Sequence, residues 1–520
     1  MVICEGAKQS NNIPEFNYTL EAENMYSIGY DVGSSSVKAS LLDVETGTTV
    51  ASSYSPKQEM PIAAPRPGWA EQDPEMWWHH LVTATREMLA KANVQRDAIR
   101  AIGVSYQMHG LVILDKQGKV LRPSIIWCDS RAVEIGRKAF KKIGRKHCLD
   151  VLLNSPGNFT ASKLRWVREN EPAVYDKVYK FMLPGDYVAF RLTGEMTTTS
   201  SGLSEGILWD FKKSAPAEVV LKQYGIDQKL ISFIVPTFGE QGRLTEAAAK
   251  ELGLVGGTIV SYRAGDQPNN ALSLNVLEPG EIAATAGTSG VVYGVSGTVK
   301  YDPASRVNSF VHVNHSPKKK RIGVLLCING TGISMSWLRR MMGKSSVNYD
   351  DLNAIAAKAP VGSDGMIVLP FGNGSERMLE DRDLGAQVLN ANFNVHTESH
   401  LVRAVQEGVA CSFRYGMDIM VKMGIKPSVI RAGHANMFLS PVFRESLANV
   451  TGVAIELYNT DGAQGAARGA ALGASLIASP RDAFKGLSRI QTVEPNREQK
   501  RRYEDFYSRW RDTLQRLLPG

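Results

Sequence analysis

The chain has 520 residues, of which 43% are hydrophobic and 22% are charged, a composition typical of a globular protein. It contains no uninterrupted run of about 18 apolar residues, as a membrane-spanning helix would need, and its five widely spaced cysteines argue against a disulfide scaffold and a cysteine zinc site. The net charge is +8 with the basic residues dispersed, so we expect no nucleic-acid partner, no membrane partner, reduced thiols and a cytoplasmic location.

The length predicts more than one domain, each with a core large enough to fold without covalent cross-links. The first 24 residues are polar and lack the basic start and apolar run of a signal peptide. We expect a polar leader over 1–24, a first domain over 25–271, a second over 272–485 and a C-terminal helix within 486–520.

The first half of the chain begins with three short apolar segments separated by tight turns, which predicts an antiparallel meander. Asp73 and Pro74 then have the N-cap and N1 pattern of a helix that runs to about Asn93. The predicted strands are 26–31, 37–44, 48–54 and 100–105, followed by a hairpin of 111–114 and 120–127.

The second half repeats this plan, which predicts two α/β domains with a cleft between them. The apolar patterns predict strands 282–286, 291–295 and 322–328. They predict helices 332–342, 349–359, 400–423, 441–451, 462–479 and 497–517. The last helix is amphipathic, and its pattern fits packing on its own domain or on a second copy in a homodimer.

The segment from Asp31 to Lys38 reads DVGSSSVK and joins the first two predicted strands. Gly33 permits a tight turn and the close approach of a ligand, and Ser34 and Ser35 with the neighbouring amides can surround phosphate oxygens. Asp31 can hold a hydrated Mg²⁺. By itself, the segment is equally well explained as an ordinary hairpin turn.

A second turn of the same kind, GTSG, begins with Gly287 and Thr288. Two such turns at equivalent places in two domains predict a clamp on one polyphosphate. A P-loop is excluded, because Leu338 stands where its first glycine would precede 343–345. A dinucleotide fingerprint starting at 330 is excluded by Met335 at its last glycine position.

Asp266 follows a predicted strand and lies at the probable start of a helix. Beside Gln267 and Asn269, its carboxylate can accept a proton from a substrate hydroxyl. The alternative interpretation is an N-cap residue without a chemical role.

Two segments at strand ends, 105–110 and 127–131, are rich in groups that bind polyols. They supply an amide, an imidazole, an indole and a carboxylate, and their candidate sugar contacts are Gln107, Met108, His109, Trp127 and Asp129. A third segment, 431–436 (RAGHAN), has small residues after a strand. It could admit a flat adenine ring, or it could be a plain loop between a strand and a helix.

Taken together, these segments resemble the FGGY family of carbohydrate kinases, and most of all its xylulokinase branch. The resemblance spans 25 to about 483 and rests on the order and spacing of several blocks. They are DVGSSSVK at 31–38, SYQMHGLVILD at 105–115, RPSIIWCDSR at 122–131, KLRWVREN at 163–170, AGTSGVV at 286–292, PFGNGSER at 370–377 and HLVRAVQEGVA at 400–410.

This resemblance implies an actin-like fold of two ribonuclease-H-like domains, with ATP and Mg²⁺ in the interdomain cleft and a sugar deep in the first domain. Asp266 would be the general base and Asp31 would organise Mg²⁺. The implied ATP-binding residues are Gly33, Ser34, Ser35, Lys38, Gly287, Thr288, Gly332, Ser336, Gly433 and Asn436. The implied sugar contacts add Gln267 to Gln107, Met108 and His109.

One departure from the xylulokinase pattern concerns the substrate. Xylulokinases commonly have Asp-Asn-Ala at the catalytic position, whereas this chain has Gly-Asp-Gln at 265–267, which is more similar to glycerol kinases. We expect phosphorylation of a ketopentose, with D-xylulose as the leading substrate. The alternatives are L-ribulose, L-fuculose, L-rhamnulose, gluconate or glycerol as substrate, or a nucleotide-switched binding protein of the actin or Hsp70 type.

Overall fold

A computed structural model describes residues 24–342 and 347–518. The predicted leader therefore lies outside the described residues except for Asn24, and so does the segment 343–345 that was compared with a P-loop. Across the two described ranges, we find no helix with the length and apolar character needed to cross a membrane.

The first large sheet has five strands and combines a meander with two parallel strands. Its spatial order is Ile259–Gly265, Ile99–Tyr106, Tyr26–Val32, Val37–Asp43 and Thr49–Ser55. The first three strands are parallel to one another, and the last two continue antiparallel. The carboxyl ends of the three parallel strands consequently share one edge of the sheet.

The second large sheet has seven strands built on the same plan. Its spatial order is Asn308–Val311, Ile322–Ile328, Gly290–Ser296, Glu281–Ala286, Val429–Gly433, Ile455–Tyr458 and Arg489–Val493. The inner five strands again form an antiparallel meander followed by two parallel strands. One further antiparallel strand extends each side.

Both sheets therefore have the ribonuclease-H-like strand order, and together they form the actin-like fold that the sequence predicts. Except for 120–127, the strand positions predicted in the two domains agree with the structure to within one or two residues. The helices are Pro74–Lys91, Val133–Ile143, Arg145–Leu152, Thr160–Asn170, Pro172–Tyr175, Pro184–Thr193, Ser200–Glu205, Glu218–Tyr224, Glu246–Leu252, Asp266–Ser273, Gly332–Met341, Tyr349–Ala356, Glu398–Lys422, Pro441–Thr451, Gly462–Gly473 and Lys500–Leu517.

Short pairs of strands lie outside the two large sheets, and one of these pairs shows that the predicted hairpin strand 120–127 is too long. The pairs are Glu71–Gln72 with Ser124–Ile125, Val112–Leu114 with Lys180–Met182, Thr197–Thr199 with Phe233–Val235, Trp209–Asp210 with Ala215–Pro216, and Ile367–Phe371 with Gly385–Leu389. The predicted strand 120–127 shrinks to two residues, because Pro123 has no N–H to continue a ladder. Isolated bridges at Leu111 and Leu114 retain the turn.

The structure also shows where one predicted helix ends and what another predicted helix packs against. The helix predicted over 462–479 ends at Gly473, and Ser475 then adopts a left-handed backbone conformation. The final helix packs on its own domain, where the indole of Trp510 donates to the Val368 carbonyl at 2.9 Å and the hydroxyl of Tyr507 donates to Asp418 at 2.6 Å. Its apolar face is thus covered within the chain.

The helix Gly462–Gly473 joins the two halves, since it comes late in the chain but lies across the first sheet. The hydroxyl of Ser27, on the central strand, donates to the Ala467 carbonyl at 2.9 Å. A Cβ at Gly29 would lie 2.0 Å from the carbonyl oxygen of Ala463. Glycine is required at this position because the helix and strand backbones touch.

The helix Asp266–Ser273 packs against the helix Gly462–Gly473 at the junction of the two sheets. The amide of Asn269 donates to the Gly462 carbonyl at 2.8 Å, and a Cβ at Gly465 would lie 2.7 Å from the Ser273 Cβ. The helix that starts with Asp266 is therefore held between the two domains.

We predict that Gly29→Ala strongly destabilises the protein. The new methyl group would overlap backbone atoms, and a change of side-chain rotamer cannot relieve that overlap. Such overpacking lowers the free energy of unfolding by about 3 kcal/mol. The measurement is the urea midpoint, with Gly297→Ala as the control, because a Cβ there meets only the Pro279 ring at 3.1 Å. Equal midpoints for the two variants would contradict this packing.

Candidate active site

The first predicted phosphate turn closes the hairpin after the strand Tyr26–Val32. The amide of Gly33 donates to the Ser36 carbonyl at 3.1 Å. The carbonyl of Ser34 accepts the Gln72 amide at 2.7 Å, and that of Ser35 accepts the Met60 amide at 2.8 Å. These contacts hold the backbone of the turn in place from the side of Met60 and Gln72.

The second predicted turn is held by the start of a helix. The amides of Gly332 and Ile333, the first residues of Gly332–Met341, donate to the carbonyls of Gly287 and Thr288 at 2.9 and 3.1 Å. The turn thus lies against a helix N-terminus, whose partial positive charge favours anions.

A cavity of about 520 Å³ opens beside the second turn. It contains five of the predicted ATP-binding residues, namely Gly287, Thr288, Gly332, Ser336 and Asn436. Met335, Met437 and Leu439 add apolar surface, and Arg340, Tyr349, Asn353 and Gln406 add polar groups that the sequence analysis missed. Mixed apolar and polar walls of this size suit a nucleoside. Gly433 lies outside the lining, at the end of its strand.

Two carboxylates lie at the shared edge of the first sheet. Asp31 is opposite Ser105 in the strand register, and the Ser105 hydroxyl donates to it at 3.0 Å. Asp266 directly follows Gly265, the last residue of the third parallel strand. The tertiary structure therefore brings together two acids that are 235 positions apart in the sequence.

Burial and the charges of neighbouring acids raise the pKa of both carboxyl groups. Burial, followed by the charge of Asp31, raises the pKa of Asp266 to about 7, although hydrogen bonds from Gln267 oppose the shift. Burial also raises the pKa of Asp31, with the charge of Lys38 opposing the shift and that of Asp461 adding to it. Asp266 is consequently a stronger base than an exposed aspartate.

The donor set also suits a divalent cation that is shared with a phosphate. In the two described ranges, no group of three or more His, Cys, Asp or Glu side chains could by itself hold a metal ion. Mg²⁺ is commonly bound by one or two carboxylates together with substrate phosphates and waters. Asp31 fits that role, because a cation would relieve its repulsion with Asp266.

The predicted sugar contacts at 107–109 come directly after the strand Ile99–Tyr106 of the first sheet. Gln107 and Met108 are buried, and the side-chain amide of Gln107 donates to Gln72 at 3.2 Å. His109 has a left-handed backbone (φ 63°) and lies 2.9 Å through Nδ1 from the Glu205 carbonyl. Since a carbonyl only accepts, Nδ1 carries the proton. Burial lowers the pKa of His109 to about 3, so the ring is neutral and its Nε2 is an acceptor.

Trp127 and Asp129 have different placements. The indole of Trp127 is 52% exposed and its Nε1 lies 3.4 Å from the Ser34 hydroxyl, so it connects the sugar segment to the first phosphate turn. The Asp129 carboxylate is fully buried and is occupied by Arg131 and by the Ala70 amide, each at 2.6 Å. The structure therefore places Asp129 behind the cleft surface, where it supports the loop.

Family models match almost the whole described chain. The N-terminal domain model of the FGGY family of carbohydrate kinases matches residues 26–273, and its C-terminal domain model matches residues 282–478. The chain belongs to the FGGY family of carbohydrate kinases. It is therefore a carbohydrate kinase, and ATP is the co-substrate of such kinases.

Individual relatives agree with this assignment. The chain is 30% identical to the xylulose kinase of Escherichia coli over 499 residues, which are 95% of this chain and 99% of the relative. It is 31% identical to the xylulose kinase of Klebsiella pneumoniae over 85% of this chain and 88% of the relative. The solved xylulose kinase of Rhodospirillum rubrum superposes with a TM-score of 0.85 at 25% identity, covering 95% and 99% of the two chains.

Other solved structures of kinases that act on different substrates have the same fold. A gluconate kinase from Lactobacillus acidophilus has a TM-score of 0.87 at 22% identity, covering 96% of this chain and 99% of the other. A glycerol kinase from Plasmodium falciparum has a TM-score of 0.84 at 20% identity, covering 96% and 99%. The fold alone therefore does not select a sugar.

The sequence analysis did not predict a role for several residues that surround the site of this FGGY kinase. Lys163 is fully buried, and its amine donates to the carbonyls of His109 and Ile126 at 2.9 Å each. It thereby fastens the two sugar segments to each other. The KLRWVREN block contains this lysine, but only the fold shows what it contacts.

Arg377 and Glu376, in the PFGNGSER block, act at the domain junction. The guanidinium of Arg377 donates to the hydroxyls of Ser155 and Ser305 at 3.2 and 3.0 Å, which links the two domains. Glu376 accepts the Asn329 amide at 2.8 Å, and burial raises its pKa to about 7. These contacts brace the segment that leads into the helix Gly332–Met341.

We predict that Gly332→Ala weakens nucleotide binding selectively. A Cβ at Gly332 would lie 2.3 Å from the Gly287 carbonyl oxygen and would push the second phosphate turn away from its helix. We expect the KM for ATP to rise at least about tenfold, a loss of about 1.4 kcal/mol of binding, with a smaller effect on the KM for the sugar. An unchanged KM for ATP in steady-state assays would show that the turn tolerates displacement.

Proposed function

We propose that this kinase transfers the γ-phosphoryl group of ATP to a ketopentose, with D-xylulose converted to D-xylulose 5-phosphate. The observation that carries the proposal is the position of the half-buried Asp266, which follows the strand Ile259–Gly265 at the edge of the sheet where Met108 and His109 also lie. The xylulose kinases named above support the choice of sugar, because they match this chain over nearly its full length.

In the proposed mechanism, Asp266 is the general base. Its carboxylate accepts the proton of the sugar hydroxyl as the hydroxyl oxygen forms its bond to the γ-phosphorus. The bond from that phosphorus to the β–γ bridging oxygen breaks, and ADP leaves with the electron pair. A base with a pKa near 7 is ionised in a useful fraction of molecules and still binds a proton well.

Charge on the phosphates is the second requirement of phosphoryl transfer. We propose that Ser34 and Ser35 of the first turn, Lys38 and the turn with Gly287 and Thr288 contact the phosphates from two sides, and that Gly33 lets the phosphates approach the first turn closely. Mg²⁺, when bound, would neutralise phosphate charge, and Asp31 would hold it. The cavity with Ser336 and Asn436 would take the nucleoside, and Gly433 would shape its approach.

The sugar would lie between the first turn and the sugar segments. The Nε2 atom of His109 can accept a hydrogen bond from a hydroxyl, and the Trp127 indole offers an apolar face to C–H groups. Gln267 donates to Asp266 in the structure, and its buried carbonyl oxygen has no partner among the described residues. We propose that this oxygen accepts from a second sugar hydroxyl.

Gln267 also supports the second candidate, a different FGGY substrate. The Gly-Asp-Gln sequence is more similar to glycerol kinases, so L-ribulose, L-fuculose, L-rhamnulose, gluconate and glycerol belong in the test. The proposed setting is the cytoplasm, and the four described cysteines, Cys128, Cys148, Cys327 and Cys411, are all unpaired thiols.

The experiment that tests the proposal is sugar-dependent release of ADP from Mg-ATP over that panel, led by D-xylulose. We expect D-xylulose to give the highest kcat/KM. A higher value for another polyol would transfer the proposal to that substrate. An absence of stimulation by every sugar would contradict the proposed function.

We predict that Asp266→Asn lowers kcat by about 10²–10⁴-fold, the usual contribution of a positioned base. The KM for ATP should stay within about twofold, because the amide keeps the shape of the side chain. Asp418→Asn makes the same chemical change outside the cleft, and we expect its kcat to match the wild type. Near-normal turnover of Asp266→Asn would remove Asp266 from the mechanism.

A further inference from the structure

The Glu205 carboxyl group is unusual for a buried acid. It lies at the end of the helix Ser200–Glu205 and is 1% exposed. The hydroxyl of Tyr106 is close enough to pair with this carboxyl group, but among the described residues neither group has a hydrogen bond of normal geometry. Buried polar groups are nearly always satisfied, because an unpaired one is costly. An exception beside an active site suggests a specific use.

Glu205 lies beside two segments of the proposed site, the one that contains Gly265 and the segment 105–110. A Cβ at Gly265 would lie 2.3 Å from the Glu205 Oε2 atom and 2.6 Å from the Met108 Cγ atom. The glutamate and the methionine therefore fill the space beside the residue that precedes Asp266. The main-chain carbonyl of Glu205 accepts the Nδ1 proton of His109.

Burial and the charges around Glu205 favour the protonated form of its carboxyl group. Two buried cations lie in this region: Arg263 pairs with Asp186 at 3.0 Å, and Lys163 donates to the His109 carbonyl at 2.9 Å. Burial raises the pKa of Glu205 well above its ordinary value, and the negative charges of Asp266 and Asp186 raise it further. The hydroxyl of Tyr106 and the His109 ring, which also face this group, are neutral because burial raises the pKa of the first and lowers that of the second.

We propose that Glu205 is a positioning residue of the sugar site, whose buried carboxyl group packs Met108 against the turn that carries Asp266 while its main-chain carbonyl holds the His109 ring. This inference rests on the proposed function. It goes further by assigning sugar affinity to a side chain behind the cleft surface.

The neutral acid explains why an acidic residue can lie next to the base. An ionised carboxylate there would repel both Asp266 and the alkoxide that develops on the sugar oxygen. A protonated carboxyl group adds no charge and offers one donor and one acceptor. Glutamine has nearly the same shape and is also neutral, whereas alanine would leave a void beneath Met108.

The test compares Glu205→Gln with Glu205→Ala. We expect Glu205→Gln to keep the KM for the sugar within about threefold of the wild type. Glu205→Ala should raise the KM for the sugar at least about tenfold and leave the KM for ATP within about twofold. Calorimetric titration with the same sugars should show the same order of affinities without turnover.

The matched control is Glu407→Gln, which changes an equally buried carboxylate that pairs with Arg403 at 2.8 Å outside the cleft. We expect it to lower the thermal midpoint and to leave the KM for the sugar unchanged. An infrared difference spectrum between the wild type and Glu205→Gln near neutral pH should contain the carbonyl band of a protonated carboxylic acid.

Three outcomes would overturn the inference. They are a wild-type KM for the sugar in Glu205→Ala, an equal rise of both KM values in that variant, and a difference spectrum without the acid band. A loss of sugar affinity in Glu205→Gln as large as in Glu205→Ala would also contradict a neutral role. If the wild type neither binds nor phosphorylates any sugar, the proposed function falls together with the inference, whereas an active wild type with an unaffected Glu205→Ala overturns the inference alone.

Discussion

The direct contact between the helix Gly462–Gly473 and the first sheet is the constraint on which the rest of the molecule depends. Side chains normally keep a helix and a sheet about 10 Å apart, but glycines on both elements let the backbones touch here. The start of that helix consequently lies beside Asp31, because a Cβ at Gly462 would be 2.5 Å from its carboxylate. Because the start of this helix packs against Asp31, a change that loosens the helix would also move the acid proposed to hold Mg²⁺.

The same edge of the sheet brings together three carboxyl groups in surroundings that disfavour their ionised forms. Asp31, Asp266 and Glu205 come from different elements, and each has a raised pKa because it is buried near other acids. Arg263 and Lys163 are nearby cations, yet one is paired with Asp186 and the other donates to backbone carbonyls. Carboxyl groups that are not paired with these cations can bind a magnesium ion or accept a proton. Both abilities suit a site that works on a magnesium nucleotide and on a hydroxyl group.

The two domains are also tied together away from the carboxylates. The strand Asn308–Val311 of the second sheet has no neighbouring strand on its outer side, and side chains of the first domain take the place of one. Asn154 exchanges two hydrogen bonds with the backbone of Ser309, and the hydroxyls of Ser201 and Ser204 bond to the carbonyl and amide of Val311. Any closure of the cleft therefore has to preserve this contact or pivot about it.

The sequence by itself determined the main strands of the first sheet, three strands of the second, about half of the helices, the two turns proposed to bind phosphate, the family and the acid at position 266, because local patterns and ordered motifs encode them. It did not determine that 120–127 contains only a two-residue strand, that Asp129 is buried under Arg131, or that Lys163 joins the two sugar segments. Glu205 gave no signal, because its neighbours Tyr106, Met108 and Gly265 are distant in the chain. Only the tertiary structure decided these points, since burial and partner choice depend on contacts between segments that no local pattern records.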